Sequence, residues 1–414
     1  MKKLLILILI CFTCVGCGSG LFGSSNEPVW TSETINQTSR NSQGTSLLAN
    51  NEAVFVWSRD FKNAPDIGNV SSQIVKIDSS SGATLAKSEV KLGVDRNSQP
   101  MTLYDGRIYA YTTVIDLTNP QEPTWQAYLW VLSTDMTTIS YAPIKNAASV
   151  AIDNLVRVGQ TLYLAGATNT NDERGSYVTA FDLSTQPPTR GWTYYTSTNP
   201  NSPDYAGGGI NNLLADERGI AFTMYSVLKL DFQQVVGLDL TGKRLWGANL
   251  KDAAPPSGYT PQAISQVPIT AGLTANTVIV SSMSQLLTGF DRSTGKPVFN
   301  KIASCGGVAG SQMTYDNIVY FSMSMGRCIL AIDQTGKILF GQDITKHFTF
   351  GQALAIHNGV IYTSNTVLYG FDAKTGEVVG TSSRDYQGPV PNVVVSGDKI
   401  ITGTDNLRAY KAFR

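Results

Sequence analysis

The 414-residue chain holds only two histidines, His347 and His357, and five cysteines, three of them within the first 17 residues. So few imidazoles exclude a histidine-rich metal centre and most histidine-based proton chemistry. Charge is sparse too: Asp, Glu, Lys and Arg make up 15% of the chain, against roughly 25% in an average soluble protein. The 31 basic residues balance 31 acidic ones. No basic excess is present to neutralise a phosphate backbone, and no acidic excess of the kind that keeps chains disordered. After Phe12 no apolar run approaches the roughly 18 residues that mark a membrane-spanning helix. Long amphipathic helical patterns are also missing, which argues against folds that alternate helix and strand. What is there is 42% hydrophobic residues, enough for a substantial core.

The first residues read as an address. Lys2 and Lys3 precede the apolar run Leu4–Phe12, too short to span a bilayer but suited to a secretory signal. Val15-Gly16-Cys17 resembles the end of a bacterial lipobox, in which Cys17 is lipidated and becomes the mature N-terminus. Cys14 stands where that pattern usually has Leu. The alternative is an ordinary cleaved signal peptide. The expectation is a lipoprotein signal peptide over 1–16 and a flexible lipidated tether over 17–26, rich in Gly and Ser. Gly18, where Asp commonly retains a lipoprotein at the inner membrane, is compatible with the outer membrane. The anchor makes the membrane a partner and predicts a lipid-anchored envelope protein facing the periplasm.

The body repeats. Good copies of one motif are Gly237-Leu238-Asp239-Leu240-Thr241-Gly242-Lys243 leading to Trp246, Gly289-Phe290-Asp291 with Thr294-Gly295-Lys296 leading to Phe299, Ala331-Ile332-Asp333 with Thr335-Gly336-Lys337 leading to Phe340, and Gly370-Phe371-Asp372 with Thr375-Gly376-Glu377. Weaker copies surround Asp78 and Asp182, a degenerate one spans Trp130–Ser133, and a last one, Leu407–Lys411, ends the chain. That makes eight units. Strand-like runs such as Asn317–Phe321 and Gly359–Thr363 precede the motifs. In each motif Asp accepts backbone amides within a turn and Gly supplies a positive φ, so the motif joins two strands. Units of roughly 40–50 residues with four strands each describe a β-propeller.

The predicted fold is therefore all-β, an eight-bladed propeller of four-stranded antiparallel blades forming a single domain over 27–414. The last unit lacks its outer strand. Glu27–Glu33 looks like that strand, with Trp30 in the place Trp246 holds in its own unit. The N-terminal strand is thus expected to complete the last blade and remove an open sheet edge. Trp30, Trp246, Phe299 and Phe340 are expected to pack between blades.

The repeat resembles the quinoprotein-type (PQQ-like) propeller repeat across nearly the whole mature chain. Eight such units behind a lipobox resemble the BamB family of propeller lipoproteins of the outer-membrane β-barrel assembly machinery. That resemblance implies docking to the barrel-assembly complex and no catalysis. PQQ-dependent dehydrogenases share the repeat, but they carry an adjacent-cysteine disulfide, and this chain has no Cys-Cys pair.

Candidate chemistry is mostly absorbed by the repeat. The carboxylates Asp78, Asp182, Asp239, Asp291, Asp333 and Asp372 are spaced by the repeat, which distributes them around a ring rather than gathering them. With Gly242, Gly295, Gly336 and Gly376 they are expected to be blade turns. The Thr-Gly-Lys triplets lack the frame of a phosphate loop. Ala206–Ile210 reads as a connection, and Asp60–Asp66 lacks the frame of a calcium loop. His347 and His357 lack zinc-motif spacing. No catalytic, cofactor-binding or metal-ligating residue is expected, and no cofactor. Outside the leader, Cys305 and Cys328 form an even pair in an exported chain, expected to form a disulfide, with two separate thiols as the alternative.

These features predict a non-catalytic, membrane-tethered scaffold for envelope proteins. The alternative is a surface or periplasmic recognition module for glycan or peptide, with Thr118–Thr124, Asn169–Gly175 and Ser197–Gly209 as candidate binding insertions. Nucleic acid is not an expected partner.

Overall fold

In a computed structural model of the chain, the residues described are 26–35, 47–60, 71–88, 101–116, 124–144, 147–149, 155–168, 175–197, 199, 201–202, 205, 209–225, 233–254, 256–257, 268–283, 285–303, 309–323, 328–343, 353–364, 367–383, 392–403 and 406–413. They form eight antiparallel sheets that follow one another along the chain. Blade 1 spans 47–87, blade 2 101–144, blade 3 147–195, blade 4 209–249, blade 5 268–302, blade 6 309–343, blade 7 354–381 and blade 8 393–411. Within each, consecutive strands are neighbours, from innermost to outermost. In blade 3 the innermost strand is in two pieces, Ala147–Ser149 and Leu155–Val158, both paired with Thr161–Thr168.

The innermost strands touch in cyclic order, and Val393–Ser396 of blade 8 touches Leu47–Ala49 of blade 1, so the ring is closed. The fourth strand of blade 8 is Trp30–Thr31, with Trp30 opposite Ala409 and Thr31 opposite Arg408. Trp246 stands opposite Gly237 in the same way, so the N-terminal strand fills the place its sequence suggested. The segment then reaches further. Asn26 bridges Ser382 at the outer edge of blade 7, while Glu33 accepts the Thr84 hydroxyl of blade 1 at 2.6 Å. Ten residues hold three blades together.

The second and third strands carry the core because both their faces meet a neighbouring blade. Thr277–Ser282 and Val360–Ser364 are buried at every residue. Such strands read as continuous apolar or small-hydroxyl runs rather than alternating ones. Where the third strand turns into the fourth, seven blades share a bulge just before the repeat Asp position, as between Gly237 and Leu238 or Gly289 and Phe290. A bulge adds local twist and re-aims side chains. Here it turns the fourth-strand aromatic toward the next blade.

That aromatic meets a glycine. The Trp246 ring lies where a Cβ on Gly295 of blade 5 would be 2.6 Å away, Phe299 covers Gly336 of blade 6, and Phe340 covers Gly376 of blade 7. Trp30 covers Gly82 of blade 1 in the same way, closing the ring. Each of these glycines has φ between 68° and 85°, so the turn and the ring both exclude a side chain there. The indole adds a hydrogen bond: Trp30 Nε1 donates to Ser79 O at 2.9 Å and Trp246 Nε1 to Arg292 O at 2.6 Å. The acceptor is in both cases the carbonyl one residue after the repeat Asp. Phe has no N–H, and a different donor then reaches that carbonyl. Thr277 Oγ1 donates to Gln334 O at 2.9 Å between blades 5 and 6, and the Tyr320 hydroxyl to Ala373 O at 3.0 Å between blades 6 and 7. A buried carbonyl without a donor would cost about 1–3 kcal/mol.

Candidate interaction surface

The strands run so that first-to-second and third-to-fourth turns all emerge on one face of the disc, here the turn face. The remaining connections emerge on the other face, the loop face. The candidate insertions 118–124 and 169–175 lie largely outside the described residues, as does most of 197–209. Residues 61–66, His347, Cys17 and Cys305 are also outside them. Cys328 is fully buried at the start of the third strand of blade 6.

The six repeat carboxylates sit on the turn face, one in each of blades 1 and 3 to 7. Each is engaged by its own turn. Asp291 Oδ1 accepts the amides of Ser293 and Thr294 at 3.0 and 2.9 Å and their hydroxyls at 2.6 and 2.8 Å. Asp239 and Asp333 accept from Thr241 and Lys243, and from Thr335 and Lys337. Asp372 accepts the amides of Lys374 and Thr375, and Asp182 that of Ser184. Donors aimed at a carboxylate favour its charged form. The Ser80 hydroxyl, with Ser81, holds Asp78 down at about 2. The Ser293 and Thr241 hydroxyls lower Asp291 and Asp239. Burial pushes Asp333 up, but the Thr335 hydroxyl and the amides leave it below its ordinary value. Groups pinned as anions are poor proton donors or acceptors near neutrality. Among the described residues no group of three His, Cys, Asp or Glu could hold a metal ion. His357 is half-buried, with Nε2 at 3.0 Å from Asn358 Nδ2.

Sequence reading missed one constellation on this face. Between blades 4 and 5 the turns part to form a cleft of about 360 Å³. One wall is Leu238, Leu245 and Trp246 of blade 4; the other is Asn276, Arg292 and Ser293 of blade 5, with Arg218 at the edge. Arg292 reaches back across the junction and grips Asp216 with two hydrogen bonds of 2.7 and 2.6 Å, adding a third to Thr274 O. Burial raises Asp216, yet the Arg292 guanidinium keeps its carboxyl below the usual range. A bidentate pair of this kind fixes geometry as well as charge. Leu245, 52% exposed, borders the cleft. Asp216 belongs to no local motif, and Arg292 is a variable position within the blade 5 repeat; 76 residues separate them, so no spacing rule could have joined them.

Fold and surface together define an eight-bladed antiparallel propeller whose own N-terminal strand closes the ring and whose turn carboxylates serve their turns. Residues 231–347, from just before the third strand of blade 4 through blade 6, match the family profile described as outer membrane protein assembly factor BamB. The protein is similar to BamB in repeat and in fold. No curated protein matches the sequence. Among solved structures, BamB from Moraxella catarrhalis is 13% identical, with 94% of this chain and 98% of that chain covered and a TM-score of 0.54. The computationally designed Ika8 protein is 12% identical, covering 92% and 99%, with a TM-score of 0.59. Sqt1 from Chaetomium thermophilum, bound to the N-terminus of the ribosomal protein L10, is 11% identical, covering 94% and 100%, with a TM-score of 0.58. At these identities the structures show a shared fold.

Proposed function

We propose that the protein is a non-catalytic scaffold of the cell envelope, anchored through a lipid on Cys17 and serving outer-membrane protein assembly in the manner of BamB. The match of residues 231–347 to the BamB family profile carries this reading. Three features support it: the signal-like segment 1–16, ending in Val15-Gly16 ahead of Cys17, the tether 17–26, and turn carboxylates engaged by their own turns. The Sqt1 structure, with its bound L10 N-terminus, gives a precedent for a propeller that takes a protein segment. In this reading the repeat Asp and Gly residues are structural, and Cys305 pairs with Cys328 between blades 5 and 6.

The test is a pull-down of the full-length protein from lightly crosslinked cells in mild detergent, with partners identified by mass spectrometry. Recovery of the barrel-assembly protein and its companion lipoproteins is the expected outcome. A different surface or secretion partner in their place would overturn the assembly role in favour of a recognition module. Mass spectrometry of the intact protein checks the anchor, since Cys17→Ala should remove a diacylglycerol-sized mass and release the protein from membranes. Alkylation before and after reduction checks the disulfide.

A further inference from the structure

We propose that the rim of blades 7 and 8 is the side of the disc held against the membrane, and that blades 3 and 4 face away from it, open to protein partners. The inference rests on the lipid anchor at Cys17 and adds an orientation to it. Its starting point is Asn26, which is clamped to the outer edge of blade 7. The Asn26 amide donates to Thr381 O at 3.1 Å, and the Asn26 carbonyl accepts from the Ser383 amide at 3.2 Å. The Ser383 hydroxyl adds a bond of 3.1 Å to the Glu27 carboxylate. Shortly after, the Val29 amide donates to Ala409 O of blade 8 at 2.7 Å, and Trp30 enters the closing strand. The chain therefore joins the ring at the seam of blades 7 and 8, on the circumference rather than over the axis.

Asn26 stands nine residues after Cys17. Whatever path those residues take, a covalent chain of that length spans at most about 30 Å. A compact domain of roughly 390 residues has a radius of gyration of about 21 Å, equivalent to a sphere about 55 Å across. The leash is shorter than the body it holds. In a closed ring of eight, blades 3 and 4 stand opposite blades 7 and 8. The bilayer blocks every rotation that would carry the body through it. The seam of blades 7 and 8 stays within the leash in every allowed orientation, while the opposite rim averages farther out. A large partner approaching from the aqueous side meets that opposite rim first.

The repeat supplies matched reporter positions. Lys243, Lys296, Lys337 and Glu377 hold the same place, just after the turn glycine, in blades 4, 5, 6 and 7, and all four are exposed. The experiment puts a clickable fluorophore at one of these positions at a time in the full-length, lipidated protein. The protein is added to preformed phosphatidylcholine vesicles that carry a headgroup-labelled acceptor lipid, and energy transfer is read. Transfer should be strongest at Glu377 and fall stepwise to Lys243, by about twofold from end to end for a body of this width. Inserting forty Gly/Ser residues after Gly18 gives the leash a root-mean-square reach of about 40 Å and should at least halve that difference. Equal transfer at all four positions, or transfer rising toward Lys243, would overturn the proposal. A gradient untouched by the longer leash would also overturn it, because an adhesive patch would then set the orientation. Flotation of the same vesicles reports on the anchor by itself. Protein that floats without a gradient sinks the orientation alone, whereas protein that does not float overturns the anchor and the orientation with it.

Discussion

Two kinds of junction hold this ring together. At five of the eight, between blades 3 and 4, 4 and 5, 5 and 6, 6 and 7, and 8 and 1, a fourth-strand aromatic lies on the turn glycine of the next blade. The other three improvise. Between blades 1 and 2 the aromatic position is Ala86, and the glycine position is Met136, which keeps the positive φ of 75° and is 1% exposed in a cluster that includes Ala86. Bulk has moved from one side of the junction to the other. Between blades 2 and 3 the position is Ser140, whose hydroxyl accepts from Gln186 at 3.0 Å. Between blades 7 and 8 it is Gly380, and Phe413 folds back from the chain end to cover it. The requirement is a filled volume and a satisfied turn; the residue that meets it is interchangeable.

The largest expected effect comes from the junction that is also the closure. Trp30→Ala should cost about 3–5 kcal/mol, as for a buried Trp, and should make unfolding less cooperative, read as a lower urea slope. Trp246→Ala should lose a similar amount while keeping the slope. Next is an exchange that tests interchangeability. Met136→Gly alone should cost about 2–5 kcal/mol for lost bulk, and Ala86→Trp alone about 1–3 kcal/mol for overpacking. The double variant should return to within about 1 kcal/mol of the parent, a coupling that a double-mutant cycle reads directly. If the two losses simply add, the volume account is wrong. Smaller again is a pair of glycines. Gly336→Ala, with φ of 85° and a Cβ 2.4 Å from the Phe299 ring, should destabilise by about 2 kcal/mol or more. Gly106→Ala, with φ of 66° and nothing within 4 Å, should lose only about 1 kcal/mol.

The smallest effect is a pH dependence. Turn carboxylates have lowered values in the folded state, with Asp78 at about 2 against an ordinary 3.8. Their contribution is therefore fully present above the unfolded value and is lost as pH falls through the folded value. Urea midpoints should stay level near neutrality and decline between about pH 4 and 2. Asp78→Asn should flatten part of that decline.

How legible each junction was follows from where its information lies. The repeat, the turns and the closing strand were readable because Asp, Thr-Gly and a ring sit within one short stretch and recur. Trp192 was not. It covers Gly242 and donates to Leu240 O at 2.9 Å as the pattern demands, but Pro187 and Pro188 lengthen its turn, so it falls ten residues after Asp182 rather than seven as in Trp246. Met136 and Phe413 were invisible because they answer a vacancy on a neighbouring blade. The Asp216–Arg292 pair was unreadable too, since it joins two blades across 76 residues.

The closing strand has a consequence in time. Trp30 leaves the ribosome before any blade, and Ala409, opposite which it must settle, only with the eighth. Until blade 8 is made the first blade therefore waits with its clasp unfastened, its glycine turn uncovered and an unpaired edge at the far end of the ring. A stall or truncation anywhere upstream of blade 8 leaves a row of finished blades that cannot shut, which makes blade 8 the one that decides whether the segment around Trp30 has a place to go.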